Sequence, residues 1–583
     1  MSKTLFKEVS YSLSKLIEDI DIGEIGLPEL QRPFVWPNTK VRDLFDSMYR
    51  GFPVGYLLFW ANGATDGHRQ IGKDNKPKIP RLLIVDGQQR LTSLYAVLKG
   101  LPVVRDNYRY ERIYIAFNPC DQVFEVADAA TRRDPEYIPD ISILWSRDTP
   151  RNRFVKDYFK NLRQSREVSD EEEDRLTENI DRLYDLHDYP FTALELSTTV
   201  SEEEVADVFV RINSKGTILN QADFILTLMS VFWDEGRANL ENFCRLARIP
   251  TTSGASPFNY YIYPDPDQLI RVDMGVGFGR AQLKHVYNIL RGKDLETGEF
   301  SADRRDEQFA ILQAAQARVL DVQNWQDFLK SIRAAGYSSQ AMITSQTALL
   351  YCYVFFLIGK HQYHVDHYAL RNCIARWFFM SALTSRYTGS FETVMEQDLA
   401  RLRDVKSAGD FVGVLDRVVM DNLTDDFWNI TLPNDLATSS PRSPSLFAYH
   451  AALILLQAKV LFSKLSVSEL LDPAIKARKS AAERHHLFPK NYLASQGIND
   501  LRSTNQIANY ALLEWDDNIN ISDTAPSEYF PIYAARFSPS DLQQMMYWHA
   551  LPEGWEKMDY LYFLEIRRKQ IAQVIRDGFQ KLG

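Results

Sequence analysis

The sequence predicts an α+β multidomain protein, with an α/β domain first, a helical middle and a small ββα unit last. Three observations predict it. Short strand-like runs alternate with helix-like runs over the first 120 residues. Residues 200 to 430 follow a helical pattern rich in aromatics. Near the C-terminus a histidine pair is followed by spaced asparagines. The domains drawn from this pattern are 1–235, 236–430 and 446–583, in keeping with roughly 100–200 residues per domain.

In the first domain, Val54–Trp60 (VGYLLFW), Arg81–Val85 (RLLIV) and Ile113–Phe117 (IYIAF) read as strands, because they are short β-branched and aromatic runs bounded by turn formers. Gln89–Lys99 reads as a helix and the polar stretch Ala61–Pro80 as a loop. Gln164–Leu183 carries so many charges that a single solvated helix is expected. In the middle, Ala348–Ile358 (ALLYCYVFFLI) is the longest apolar run. It is too short to span a bilayer and reads as a buried helix. The Pro- and Ser-rich stretch Thr431–Ser445 reads as a linker. A long amphipathic helix, Phe447–Lys464, is expected to open the last domain.

Composition narrows the function classes. The net charge is -10, which excludes a uniformly basic coat for nucleic acid but not a local one. Residues 457–507 hold eight basic side chains against four acidic ones. The four cysteines, Cys120, Cys244, Cys352 and Cys373, form no C-x-x-C pair. That argues against zinc knuckles and a disulfide scaffold and fits a reducing cytoplasm. No signal peptide is read in the opening residues.

Two constellations carry chemistry. The first is Leu83–Tyr95 (LIVDGQQRLTSLY). A strand ending at Val85, a turn at Asp86-Gly87 and a helix starting near Gln89 aim backbone N–H groups at the space above the strand, where an anion is favoured. Arg90 can clamp a phosphate with two donors. Asp86 can hold a metal ion or a ribose hydroxyl, and Thr92 adds a hydroxyl. The plainer reading is a helix cap at Asp86-Gly87 with Arg90 in a surface ion pair. No Walker loop and no G-x-G-x-x-G is present.

The second constellation is Glu483–Lys490 (ERHHLFPK) followed by Asn505–Ser522 (NQIANYALLEWDDNINIS). This spacing suits a hairpin and helix around one divalent cation. One residue of such a pair binds the metal, and the adjacent neutral histidine deprotonates the attacking water. An asparagine contact fixes the tautomer of that base. The plainer reading is a loop pair of histidines followed by turn-forming asparagines. His361, His364 and His367 form a third group that reads better as helix surface than as a metal site.

The segments PELQRPFVW, SMYRGFPVGYLLFW and IVDGQQRLTSLYAV, with Phe209–Phe224 (FVRINSKGTILNQADF) and Arg386–Leu402, resemble the GmrSD group of type IV restriction enzymes. Their N-terminal domain resembles the ParB/sulfiredoxin fold. The resemblance implies binding of a nucleoside triphosphate, GTP or ATP, by Gln31, Arg32, Asp86, Gly87, Gln88, Gln89 and Arg90. Asn213 and Lys215 either complete that pocket or cap a loop.

The C-terminal segment is similar to the HNH (His-Me finger) nuclease pattern. By that likeness His485 is the first metal ligand, His486 the general base, Asn509 the central asparagine and Asn518 the last ligand, with Asn520 an alternative to Asn518. Oxygen donors of this kind suit Mg²⁺ or Mn²⁺ better than Zn²⁺. The function expected is a nucleotide-regulated, metal-dependent DNA endonuclease acting on modified phage DNA in antiviral defence. The alternatives are an NTP-dependent DNA-sensing regulator with an inactive nuclease domain, or a ribonuclease toxin. DNA and a nucleotide are the expected partners, no membrane is, and a homodimer is the candidate assembly.

Overall fold

Strand β1 (Phe6–Ser12) pairs with a strand 184 residues away, and this pairing organises the N-terminal part of the computed structural model. The structure describes residues 5–26, 34–61, 81–105, 109–146, 150–197, 200, 204–205, 208, 222, 225–226, 229, 232–251, 253–290, 292, 301–474 and 483–583. The chain divides into two units, 1–220 and 221–583.

In the first unit Ser12 caps helix α1 (Leu13–Asp21), its hydroxyl accepting from the Lys15 amide. Then follow β2 (Ile25–Gly26), α2 (Asn38–Tyr49), β3 (Leu57–Ala61), β4 (Leu82–Asp86) and α3 (Gln88–Lys99). Two small hairpins come next: β5 (Pro102–Val104) with β6 (Tyr110–Arg112), and β7 (Ile115–Asn118) with β8 (Val123–Val126). Helices α4 (Arg151–Ser165) and α5 (Asp170–Tyr184) lead to β9 (Pro190–Leu196). The main sheet has the order β1-β9-β3-β4-β2. It is mixed, with β9 parallel to β3 and β2 parallel to β4.

The period-2 alternation of β3 sends Leu57 and Phe59 into the main core, with Ile84, Leu91, Leu94 and Phe191. Leu58 goes to the opposite face, with Leu196, Val200 and Val205. Glu195, 2% exposed, is the one charged side chain β9 buries. An ion pair with Lys7 at 2.6 Å and a hydrogen bond from the Tyr11 hydroxyl satisfy it.

Three expectations need correction. The strand expected at Val54–Trp60 begins only at Leu57, because Gly55 takes φ +89. The charged helix expected over Gln164–Leu183 is two helices. Arg166 leaves the helical region at φ -159, and Ser169 caps α5 through its hydroxyl. The third concerns Phe447–Lys464. That helix runs Pro444–Leu455 and stops where Gln457 takes φ 53. It is buried on most sides rather than amphipathic, with Leu446, Ala448, Tyr449, Ala451, Ala452 and Leu453 all in the core.

The second unit is built around the helix Gln346–His361, whose residues from Ala348 to Ile358 are all buried, as the apolar run predicts. It packs against Pro266–Phe278 and His367–Leu383. The stretch read as a linker is packed: Leu432 and Leu436 are fully buried, and the Thr438 carbonyl accepts from the Ile507 amide. His361, His364 and His367 span the turn between two helices, where Asp366 caps the second by accepting from the amides of Tyr368 and Ala369. Phe579 on the C-terminal helix Tyr560–Gln580 stacks within 5.4 Å of Phe379 and 5.9 Å of Trp428. The helical region and the C-terminal region thus share one core. No helix among the described residues is long and apolar enough to cross a membrane.

Candidate functional site

Two sites stand out, one in each unit. In the first unit, β4 delivers Asp86 to a turn whose pivot is Gly87, in the left-handed region at φ 94. A β-carbon at Gly87 would sit 2.5 Å from a Leu57 methyl, so both the conformation and the packing demand glycine. No side chain caps α3, and its first-turn amides belong to Gln88, Gln89 and Arg90. The Arg90 guanidinium turns back over β3 and donates to the Tyr56 carbonyl at 2.9 Å. Among the described residues that is its single hydrogen bond, and no carboxylate lies within ion-pair distance of it. Burial pushes its pKa down, and the charge of Asp86 opposes the shift. A partly buried cation using one of five donors is suited to an anionic ligand. Among the described residues, then, Arg90 makes no surface ion pair.

The Gln89 carboxamide oxygen accepts from the Val35 amide at 3.1 Å, tying α3 to the chain entering α2. Gln88, Gln89, Thr92 and Tyr95 line a cavity of about 90 Å³ closed by Phe34 and the β5–β6 hairpin. Gln31, Arg32, Asn213 and Lys215 lie outside the described residues.

In the second unit, strand β10 (Glu483–His486) pairs antiparallel with β11 (Tyr510–Leu513), His485 facing Ala511 and His486 facing Tyr510. The helix Trp515–Ile521 follows directly. Two short antiparallel strands and a helix thus come together here. Adjacent strand residues point to opposite faces, so the two imidazoles have different surroundings. His485 is 3% exposed, and its Nδ1 lies 2.7 Å from Oδ1 of Asn518. Burial pushes its pKa down to about 4, against the opposing hydrogen bond to Asn518. Its Nε2 is buried with no hydrogen-bond partner among the described residues. His486 is half-buried, packs its ring 4.7 Å from Tyr510, and places Nε2 3.0 Å from Oδ1 of Asn505. Burial also holds this imidazole below its ordinary value, so it is neutral near pH 7.

Asn509 is fully buried, and its carboxamide staples the turn after β10. Oδ1 accepts from the Phe488 amide at 2.9 Å, and Nδ2 donates to the carbonyls of Phe488 and Thr504, each at 3.0 Å. The Asn509 carbonyl accepts from the Leu487 amide at 2.8 Å. The structure thus brings His485 to Asn518 and sets Asn509 beneath the turn. Asn505, which the sequence reading passed over, is the asparagine on His486. It sits four residues before Asn509, inside the same motif, and that proximity is the signal that could have found it. Asn520 is exposed.

The donor set bears on a metal ion. One imidazole nitrogen and one carboxamide oxygen converge, and the two could hold a cation in place of their hydrogen bond. Among the described residues no group of three or more His, Cys, Asp or Glu comes together. Two protein donors with the remaining positions left to water and substrate oxygens suit Mg²⁺ or Mn²⁺ rather than structural zinc.

Comparison with known proteins finds a match to the N-terminal part of the chain. Residues 13–230 match the family model of the GmrSD restriction endonuclease N-terminal domain. This stretch contains the Asp86–Arg90 turn and the whole main sheet except β1. The chain is also 22% identical over 562 residues to uncharacterized protein MJ0686 of Methanocaldococcus jannaschii, covering 89% of this chain and 86% of that one. That alignment extends beyond residue 230, into the second unit.

Proposed function

We propose that the protein is an HNH-type, divalent-metal-dependent DNA endonuclease whose N-terminal unit binds a nucleoside triphosphate. Its substrate is foreign DNA, modified phage DNA in particular. The observation that carries this reading is the placement of His485, His486 and Asn518 on one antiparallel hairpin and the helix after it.

His486 is the general base. A neutral imidazole that donates from Nε2 to Asn505 keeps its lone pair on Nδ1, the nitrogen that takes the proton from the attacking water. The metal ion, held by His485 and Asn518, supplies charge stabilisation at the scissile phosphate and the leaving oxygen. Asn509 keeps the turn after β10 rigid, which holds the two histidines in register. In the first unit, the α3 amides and the Arg90 guanidinium hold phosphate oxygens of GTP or ATP. Gln31, Arg32, Asn213 and Lys215 are proposed to complete that pocket. Nucleotide binding regulates cleavage only to the extent that it favours one arrangement of the protein over another.

The test is digestion of phage DNAs carrying different modifications, with Mg²⁺ or Mn²⁺ and each NTP, by wild type and His486→Ala. Cleavage of DNA by wild type alone supports the reading. Cleavage of RNA but not DNA replaces it with a ribonuclease. No cleavage, together with NTP turnover, replaces it with a regulator whose nuclease unit is inactive.

A further inference from the structure

The base at position 486 needs more than a neutral ring. A neutral imidazole has one N–H and one lone pair, and only one of its two tautomers can accept a proton from water at a given nitrogen. Strand pairing fixes the backbone of His486 but not the location of its proton. In the structure the polar group on Nε2 is the Asn505 carboxamide oxygen, at 3.0 Å. An oxygen is an acceptor only, so it selects the Nε2–H form and leaves Nδ1 basic.

Asn505 is itself held by a frame. It directly follows the short helix Leu501–Thr504, and the C-terminal helix Tyr560–Gln580 grips residues 503–508 at successive points. The Tyr560 hydroxyl donates to the Ser503 carbonyl at 2.8 Å. Arg568 donates to the Gln506 carboxamide oxygen at 2.9 Å. Arg567, with no exposed surface, donates to the Ala508 carbonyl at 2.6 Å and to the His549 carbonyl at 3.2 and 2.9 Å. Positions 560, 567 and 568 fall on one helical face. A fully buried guanidinium held on main-chain carbonyls is an expensive way to hold a loop. Such rigidity suits a loop whose side chain must meet an imidazole within a few tenths of an ångström.

We infer that Asn505 is the positioning residue of the nuclease site, fixing His486 as its Nε2–H tautomer, and that the 560–568 face of the C-terminal helix holds Asn505 in place. This rests on the reading of His486 as general base, but the tautomer itself can be read without any cleavage.

The experiment uses the full chain labelled with ¹⁵N-histidine, the His486 resonances being assigned by their loss in His486→Gln. Nitrogen shifts report which ring nitrogen carries the proton in wild type, Asn505→Leu and Asn505→Asp. In parallel, single-turnover cleavage of a fluorescein-labelled DNA duplex in Mn²⁺ and its Kd by anisotropy are measured for each protein.

Wild type and Asn505→Asp should show Nε2–H, since both present an oxygen acceptor. Asn505→Leu should lose that preference and cleave about 100-fold more slowly with DNA Kd unchanged, within the usual range for general-base catalysis. Asn505→Asp should restore most of the rate, which guards against a loss due to misfolding. An Nδ1–H ring in wild type, or an Asn505→Leu protein that keeps both tautomer and rate, overturns the inference and leaves the nuclease reading standing. The expected tautomers in a wild-type protein that cuts nothing uphold the role of Asn505 and remove the nuclease reading instead.

Discussion

Gly55 faces Arg90 so closely that a β-carbon at position 55 would stand 3.4 Å from the guanidinium. Position 55 also takes φ +89, where L side chains are strained. Gly55→Ala should therefore carry a backbone penalty of about 1–2 kcal/mol, with its methyl in van der Waals contact with the guanidinium. We expect GTP and ATP affinity, measured by calorimetry, to fall about tenfold in Gly55→Ala and to vanish in Arg90→Ala. Wild-type affinity in Arg90→Ala removes this residue from the nucleotide site.

Asn518 and Asn520 should separate cleanly. Asn518 shares a hydrogen bond with His485, whereas Asn520 is exposed. Asn518→Ala is expected to slow DNA cleavage by roughly 100-fold and to raise the Mn²⁺ concentration needed for half-maximal rate. Asn520→Ala is expected to stay within a few-fold of wild type. A Mn²⁺ titration of the cleavage rate in both variants decides, and the reverse order would move the ligand to position 520.

His549 makes the second unit sensitive to acid. It is 1% exposed, and its Nε2 donates to the Lys459 carbonyl at 2.9 Å. Burial pushes its pKa down to about 4, with the carbonyl opposing and the Arg567 charge adding to the shift. The folded ring is neutral while the unfolded one charges below about 6.5. Its contribution is whole above pH 6.5 and is lost as pH falls towards 4, by up to about 3 kcal/mol. Urea midpoints at pH 7 and 4.5 should draw closer together in His549→Gln, which keeps the donor and loses the titration. Equal pH dependence in the two proteins would contradict this.

Asp273 works in the opposite direction. It is fully buried, and neither carboxylate oxygen has a hydrogen-bond partner among the described residues. Burial raises its pKa well above the usual carboxylate range, with Gln316 opposing. The folded state holds the neutral acid while the unfolded chain ionises above about pH 4. Stability is therefore lost as pH rises from there towards the folded value. Asp273→Asn should raise Tm at pH 8 by ~2–4 °C for each kcal/mol recovered and leave it unchanged at pH 4. Calorimetric scans at the two pH values check the difference.

The parts of the fold that local chemistry dictates are legible in the sequence. The strand–turn–helix at residues 82–99 is announced by an apolar run, Asp86-Gly87 and a helix-forming segment, and it forms within a residue of its expected bounds. The 483–486 hairpin strand is announced by the histidine pair and the spacing to Asn509. What could not be read depends on distant partners. Nothing near Thr431–Ser445 says that Leu432 and Leu436 will be buried, because their surroundings come from elsewhere in the chain. Arg567 reads as an ordinary helix arginine, and only the tertiary fold shows it closing on the carbonyls of Ala508 and His549. The 164–183 helix was expected to be continuous because charge density hides a cap: Ser169 interrupts it with a hydroxyl that outcompetes the backbone.

The pairing of Phe6 with Leu196 sets an order of events during synthesis. The first strand leaves the ribosome long before its neighbour exists. At about 5–20 residues per second it waits some ten seconds or more without its only strand partner. The central strand β3 waits as well, since β9 must insert between it and β1. Nascent chains arrested short of residue 190 should accordingly depend on chaperones and be readily digested by protease, and those extended past residue 196 by the length of the exit tunnel should become resistant.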